Sequence, residues 1–84
     1  MSTSTPAISA DTAAHVLWHY GHDGGYQAGS FTEQLLTAMG MADPTNLHRL
    51  ALGFPDYVAA VHAIQYDPDG VANLQKIVRG EVAA

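Results

Sequence analysis

Three prolines, Pro44, Pro55 and Pro68, limit what the C-terminal half of this chain can form. Each ring fixes φ near the helical value and removes one backbone donor, so proline suits a first helical turn and disrupts a helix interior. It also drives the residue before it out of the α region. Asp43-Pro44, Phe54-Pro55 and Asp67-Pro68 therefore read as three helix starts, and their spacing leaves room only for short helices. The pattern predicts helices over 44–52, 55–66 and 68–79, with Gly53 and Gly80 as stops. Leu47, Val58 and Val71 stand three places after each proline. Ala42 with Leu47, and Tyr66 with Val71, are placed to staple two of the entries. A recurrence every 11 to 13 residues is too short for a helical solenoid and reflects reused capping chemistry.

The N-terminal half carries the same periodicity with different punctuation. From Asp11 to Tyr20, Ala14, Leu17 and Trp18 share one stripe, with Val16 and Tyr20 beside it. Ser9 or Asp11 can cap the start, and Gly21 stands where a left-handed terminating residue is wanted. Residues 21–29, GHDGGYQAG, form a glycine-rich loop. Ser30 and Glu33 then have the spacing of a capping box, with Phe31, Leu35 and Met39 recurring every four residues and Leu36 and Ala38 widening the face. Gly40 is the expected stop, with Met41 folded back onto Leu36. No alternation of period two competes anywhere. The expected fold is all-α: a compact bundle of four to five short helices over 10–80, behind a disordered leader (1–9) and before a short tail (81–84). Leu47, Leu50, Phe54, Val58, Val61 and Ile64 are its expected core.

Composition removes several classes of function. The chain has 84 residues and no cysteine, which excludes disulfides, thiol nucleophiles and Cys-based zinc sites and fits a reducing compartment. Eight carboxylates face only Arg49, Lys76 and Arg79, a formal charge of −5. Nucleic-acid binding depends on Lys and Arg neutralising phosphates, so three scattered cations disfavour it, even for a helix-turn-helix arrangement. An anionic membrane surface is disfavoured for the same reason. No apolar run approaches the roughly 20 residues of a membrane span, and residues 1–7 lack the basic and apolar regions of a secretory signal. The expected location is cytoplasmic. With only 13% of residues charged, much of the surface must be uncharged, as where another copy or a partner covers it.

Four constellations invite chemistry. His15 and His19 lie one helical turn apart, and His22 follows, so the three are a candidate divalent-metal set. Against this, histidines near a helix C-terminus also serve the dipole and cap carbonyls. The run Gly24-Gly-Tyr-Gln-Ala-Gly-Ser30 has the glycine spacing of a phosphate loop but lacks its lysine and any preceding strand. Ser30, His22 and Asp23 form no Gly-x-Ser-x-Gly elbow, and most carboxylates (Asp43, Asp56, Asp67, Asp69) stand at helix starts, where negative charge is favoured anyway. No enzyme activity and no cofactor are expected. Trp18, Tyr20 and Tyr26 remain as candidate interaction anchors beside the histidines, because Trp and Tyr concentrate in interface hot spots.

The runs G-Y-Q-A-G-S-F-T at 25–32, A-D-P-T-N at 42–46 and L-G-F-P-D-Y-V at 52–58 resemble small proteins of actinobacteria and of the phages that infect them. That group has no assigned activity, so the resemblance brings no catalytic residues. It implies a short cytoplasmic accessory protein, a phage gene product made inside its host. The expected function is a non-enzymatic protein–protein interaction module that self-associates and acts on a bacterial host protein. The alternative is a metal-binding protein using His15, His19 and His22.

Overall fold

In a computed structural model describing residues 7–81, five helices run in the order α1 (Ala10–His19), α2 (Ser30–Met41), α3 (Pro44–Gly53), α4 (Pro55–Tyr66) and α5 (Gly70–Val78). Most of the expected leader (1–9) and tail (81–84) lies outside the described residues. Order begins ahead of the first helix: Ile8 packs against the core, and the Ser9 hydroxyl accepts the Thr12 amide at 3.1 Å as N-cap. The all-α bundle is therefore as expected. Its radius of gyration, 12.0 Å, is that of one packed domain of this length. Among the described residues no helix is long and apolar enough to cross a membrane.

Helix ends follow the predicted chemistry where it is local. Gly21 adopts φ +78°, and the Gly21 and His22 amides donate to Trp18 and Leu17 carbonyls at 3.0 and 2.9 Å, which is a Schellman turn. Gly80, at φ +75°, ends α5 in the same way, with bonds to Ile77 and Lys76. Pro44 and Pro55 open α3 and α4, and the Asp43 carboxylate accepts the Asn46 amide at 2.8 Å.

Four boundary details differ from the expectation. The capping box at Ser30 does not form: Gly29 is the N-cap, Ser30 is already helical, and Glu33 turns instead to His19 on α1. Gly40 does not stop α2, which runs on to Met41, and Met41 lies 80% exposed instead of folding onto Leu36. Gly53 is the last residue of α3, with Phe54 joining α3 to α4. Pro68 leads a turn instead of a helix. Asp67 Oδ1 accepts the Asp69 amide at 2.9 Å, the Gly70 amide bonds Asp67 O at 2.9 Å, and α5 starts at Gly70. That turn sets the α4–α5 crossing. A Cβ on Gly70 would stand 2.0 Å from the Ala63 carbonyl oxygen, so only glycine lets the two backbones meet there. Tyr66, expected to staple onto Val71, is 70% exposed with its ring 4.9 Å from that of His62.

The core is centred elsewhere than expected. Ala13, Ala14, Val16 and Leu17 of α1 are wholly buried, joined by Leu36 and Met39 of α2, Ala60 and Val61 of α4 and Leu74 of α5. Of the six residues predicted to form the core, only Val61 reaches it. Leu47, Leu50, Phe54, Val58 and Ile64 pack around its edge. The reason is topological: α1 packs against α5, α4 and α2, whereas α3 packs on α4 and buries no residue completely. Each large side chain in the centre contributes about 1.5–3 kcal/mol relative to exposure, so α1 and its neighbours carry most of the hydrophobic stabilisation.

Candidate functional site

The predicted residues on α1 line a polar seam toward α2 and α4. Thr12, His15 and His19 recur at helical spacing on one face. The Thr12 hydroxyl donates to Asp56 Oδ2 at 2.7 Å. His15 Nδ1 pairs with the Tyr57 hydroxyl at 2.7 Å, and the two rings stack with centroids 6.1 Å apart. His19 Nδ1 pairs with Glu33 Oε1 at 3.0 Å, tying α1 to the first turn of α2. Each histidine thus has its own partner in a different helix, while His22 lies exposed beyond the Schellman turn. The structure does not bring His15, His19 and His22 together as a ligand set. Among the described residues, no three His, Asp or Glu side chains converge in a way that could hold a metal ion.

The glycine loop folds back along α1. The Tyr26 backbone amide donates to the Ala14 carbonyl at 3.2 Å, Gln75 Nε2 of α5 donates to Asp23 O at 2.9 Å, and the Tyr26 hydroxyl donates to Asp11. A Cβ on Gly25 would meet Ala14 O at 2.3 Å and the Trp18 amide nitrogen at 2.5 Å. That glycine therefore serves close backbone approach to α1, not the cradling of a phosphate.

Of the three predicted anchors, Trp18 and Tyr26 reach the surface, 42% and 48% exposed. Tyr26 is held there edge-on to His15 at 5.4 Å, and its bond to Asp11 pushes its hydroxyl pKa up. Tyr20 does not reach the surface in the same way. It packs against the core with its hydroxyl buried and no well-formed hydrogen bond among the described residues, and burial, only partly offset by nearby Gln65, pushes that hydroxyl above its ordinary pKa of 10.0.

The larger uncovered surface is one the sequence reading did not single out. Leu36 and Met39 face α2 inward, 0% and 1% exposed. A second apolar stripe on the same helix runs Phe31, Leu35, Ala38, Met41 and Ala42, at intervals of three and four. Its ends are bare: Phe31 is 68% and Met41 80% exposed, with the Phe31 ring 6.1 Å from that of Phe54. α2 and α3 are joined through Ala42 and Asp43 alone, yet they scarcely pack together. Between them lies an open groove of about 440 Å³, with Ala38, Met41, Ala42 and Leu50 as its apolar surface and Asp43, Asn46 and Arg49 along α3. The sequence shows α2 as one broad apolar face, and only packing divides it. α2 is apolar on two sides, and a helix of that kind needs cover on both.

Comparison with known proteins returns no match, whether to a family model, a curated protein or a solved structure. The resemblance to actinobacterial and phage proteins rests on the three sequence runs alone.

Proposed function

We propose that this protein is a non-enzymatic interaction module that works by self-association and, following the resemblance to phage-encoded accessory proteins, by docking on a bacterial host protein. The observation that carries the reading is the second apolar stripe of α2. Phe31 and Met41 expose most of their surface at its two ends, and Met41 lines a groove that none of the described residues fills. Contiguous apolar surface next to a concave face is what protein–protein contacts use. The sparse charge supports the same reading, because a partner meeting this face desolvates few ions. Trp18 and Tyr26 supply a second exposed pair on the α1 side, suited to a different partner.

Light scattering across a concentration series tests the self-associating part. The mass rises from the 8.9 kDa of one chain toward twice that value as concentration increases. A mass fixed at 8.9 kDa into the high-micromolar range refutes it.

A further inference from the structure

The α2–α3 groove is nearly neutral along its rim, in a chain of net charge −5. Asp43 stands at the N-cap of α3, and Arg49 stands six residues further along the same helix. Both retain capacity. One oxygen of Asp43 is used by the Asn46 amide at 2.8 Å, and among the described residues Arg49 makes only a long contact, 3.4 Å, to Asn46 Oδ1. A guanidinium offers five donors, so most of its hydrogen-bonding capacity is left over. The other arginine is differently placed: Arg79 is held by both carboxylate oxygens of Glu81 at 2.6 and 3.3 Å. Arg49 is the sole cation in the four helices before α5, and it lies on the groove.

We propose that the occupant of this groove is a second copy of the chain, docked about a two-fold axis so that Asp43 of each copy meets the partner's Arg49. The proposal rests on the self-associating reading above and adds the face, the symmetry and the residues that set the register. A two-fold contact is self-complementary, with residue i facing j and j facing i. A rim carrying one acid and one base at fixed spacing satisfies that condition twice over. A strongly basic partner leaves Arg49 opposed by like charge, a strongly acidic one leaves Asp43 so, and a polyanion meets only one cation. A second copy leaves neither. The apolar floor fits as well. Ala38 and Ala42, one turn apart, let a neighbouring helix approach closely, while the protruding Met41 of each copy is placed to fill the partner's groove. Two chains of charge −5 repel at long range, so they need a locally neutral face to meet, and the acidic α4–α5 turn with Asp67 and Asp69 offers none.

The test uses the full chain with two charge reversals, Arg49→Glu and Asp43→Arg, in sedimentation velocity at a concentration where the wild type is dimeric. Each variant alone places like charges opposite one another twice, and its dimer dissociates at least about tenfold more readily. Mixed in equal amounts, the two restore the dimer, because every cross-contact is again acid to base. Asp43→Arg also removes the α3 cap, so a thermal melt accompanies it, and Asp43→Asn, which keeps a capping oxygen, shows the weaker intermediate effect. Arg49→Glu dimerising like the wild type overturns the proposal, as does a mixture that stays monomeric while both variants are folded. A wild-type dimer lost on Trp18→Ala but not on Arg49→Glu leaves the self-associating reading standing and removes this face from it. A wild-type monomer at every concentration removes both.

Discussion

α1 and α2 have nearly the same length and opposite relations to the rest of the chain. Most of α1 has neighbours. Ala13, Ala14, Val16 and Leu17 are buried, Thr12, His15 and His19 each have a partner in another helix, and the glycine loop covers the side near Ala14, leaving Trp18 as its one large apolar residue at the surface. α2 is covered on one side only. Leu36 and Met39 look into the core, while Phe31 is exposed and Met41 looks out over a groove. One consequence is that the two helices divide the work. Residues on α1 hold the fold, and a change there is felt as lost stability. The exposed Phe31 and Met41 contribute little to the fold, and on the proposed self-association a change there is felt as lost association.

The largest effects are expected where the backbone itself leaves no room. Gly25→Ala and Gly70→Ala each push a Cβ to within 2.3 and 2.0 Å of a carbonyl oxygen, so the loop must lift off α1 or α5 must swing away from α4. Each costs about 3 kcal/mol or more, beyond ordinary overpacking, read as a loss of cooperative urea unfolding. Leu17→Ala and Leu36→Ala follow at about 2–5 kcal/mol each, since both side chains are wholly buried. Met41→Ala, only two residues from the buried Met39, changes the unfolding midpoint of the dilute protein by less than about 0.5 kcal/mol. Equal losses for Leu36→Ala and Met41→Ala break the comparison.

Smaller effects sharpen it. Ser9→Ala removes the cap of α1 and a partner of Thr12, for about 1 kcal/mol in thermal unfolding. Tyr20→Phe is neutral or slightly stabilising, because the hydroxyl it removes is buried with no well-formed hydrogen bond among the described residues. The same hydroxyl, with that of Tyr57, makes stability depend on alkaline pH. Burial raises both folded-state pKa values above 10.0. The stabilisation they carry is complete below pH 10 and is lost as pH rises through the raised values, because the unfolded chain ionises first. Unfolding midpoints measured from pH 8 to 11 fall in that window, and the fall is shallower in Tyr20→Phe.

How much of this was legible in the sequence follows from how far each cause reaches along the chain. The Schellman turns at Gly21 and Gly80 and the starts at Pro44 and Pro55 depend on residues within one turn, and all were readable. The capping box at Ser30 failed because Glu33 found a partner 14 residues away, in His19. Gly25 and Gly70 look like ordinary loop glycines until the helices they touch are in place. The core was sought in α3 and α4, where the apolar residues are large. It formed around α1, where small Ala13 and Ala14 let neighbours close in. Exposure at Trp18 and Tyr26 was readable from their neighbours, but inward-turned Tyr20 was not, since Trp18, His19 and Tyr20 differ only in helical phase relative to elements the sequence does not orient. The groove was missed for a related reason. Phe31, Leu35, Leu36, Ala38 and Met39 read as one broad apolar face, and only packing divides them into a covered and an uncovered stripe.

Met39 and Met41 make that division directly measurable, because they stand two residues apart and are 1% and 80% exposed. Oxidation by dilute peroxide, followed residue by residue with mass spectrometry, reads the accessibility of each sulfur. Met39 is expected to resist at all protein concentrations. Met41 is expected to oxidise readily in dilute solution and to become protected as concentration rises, in step with the increase in mass. Met41 oxidising at one rate across the whole concentration range, or Met39 oxidising as fast as Met41, contradicts the account.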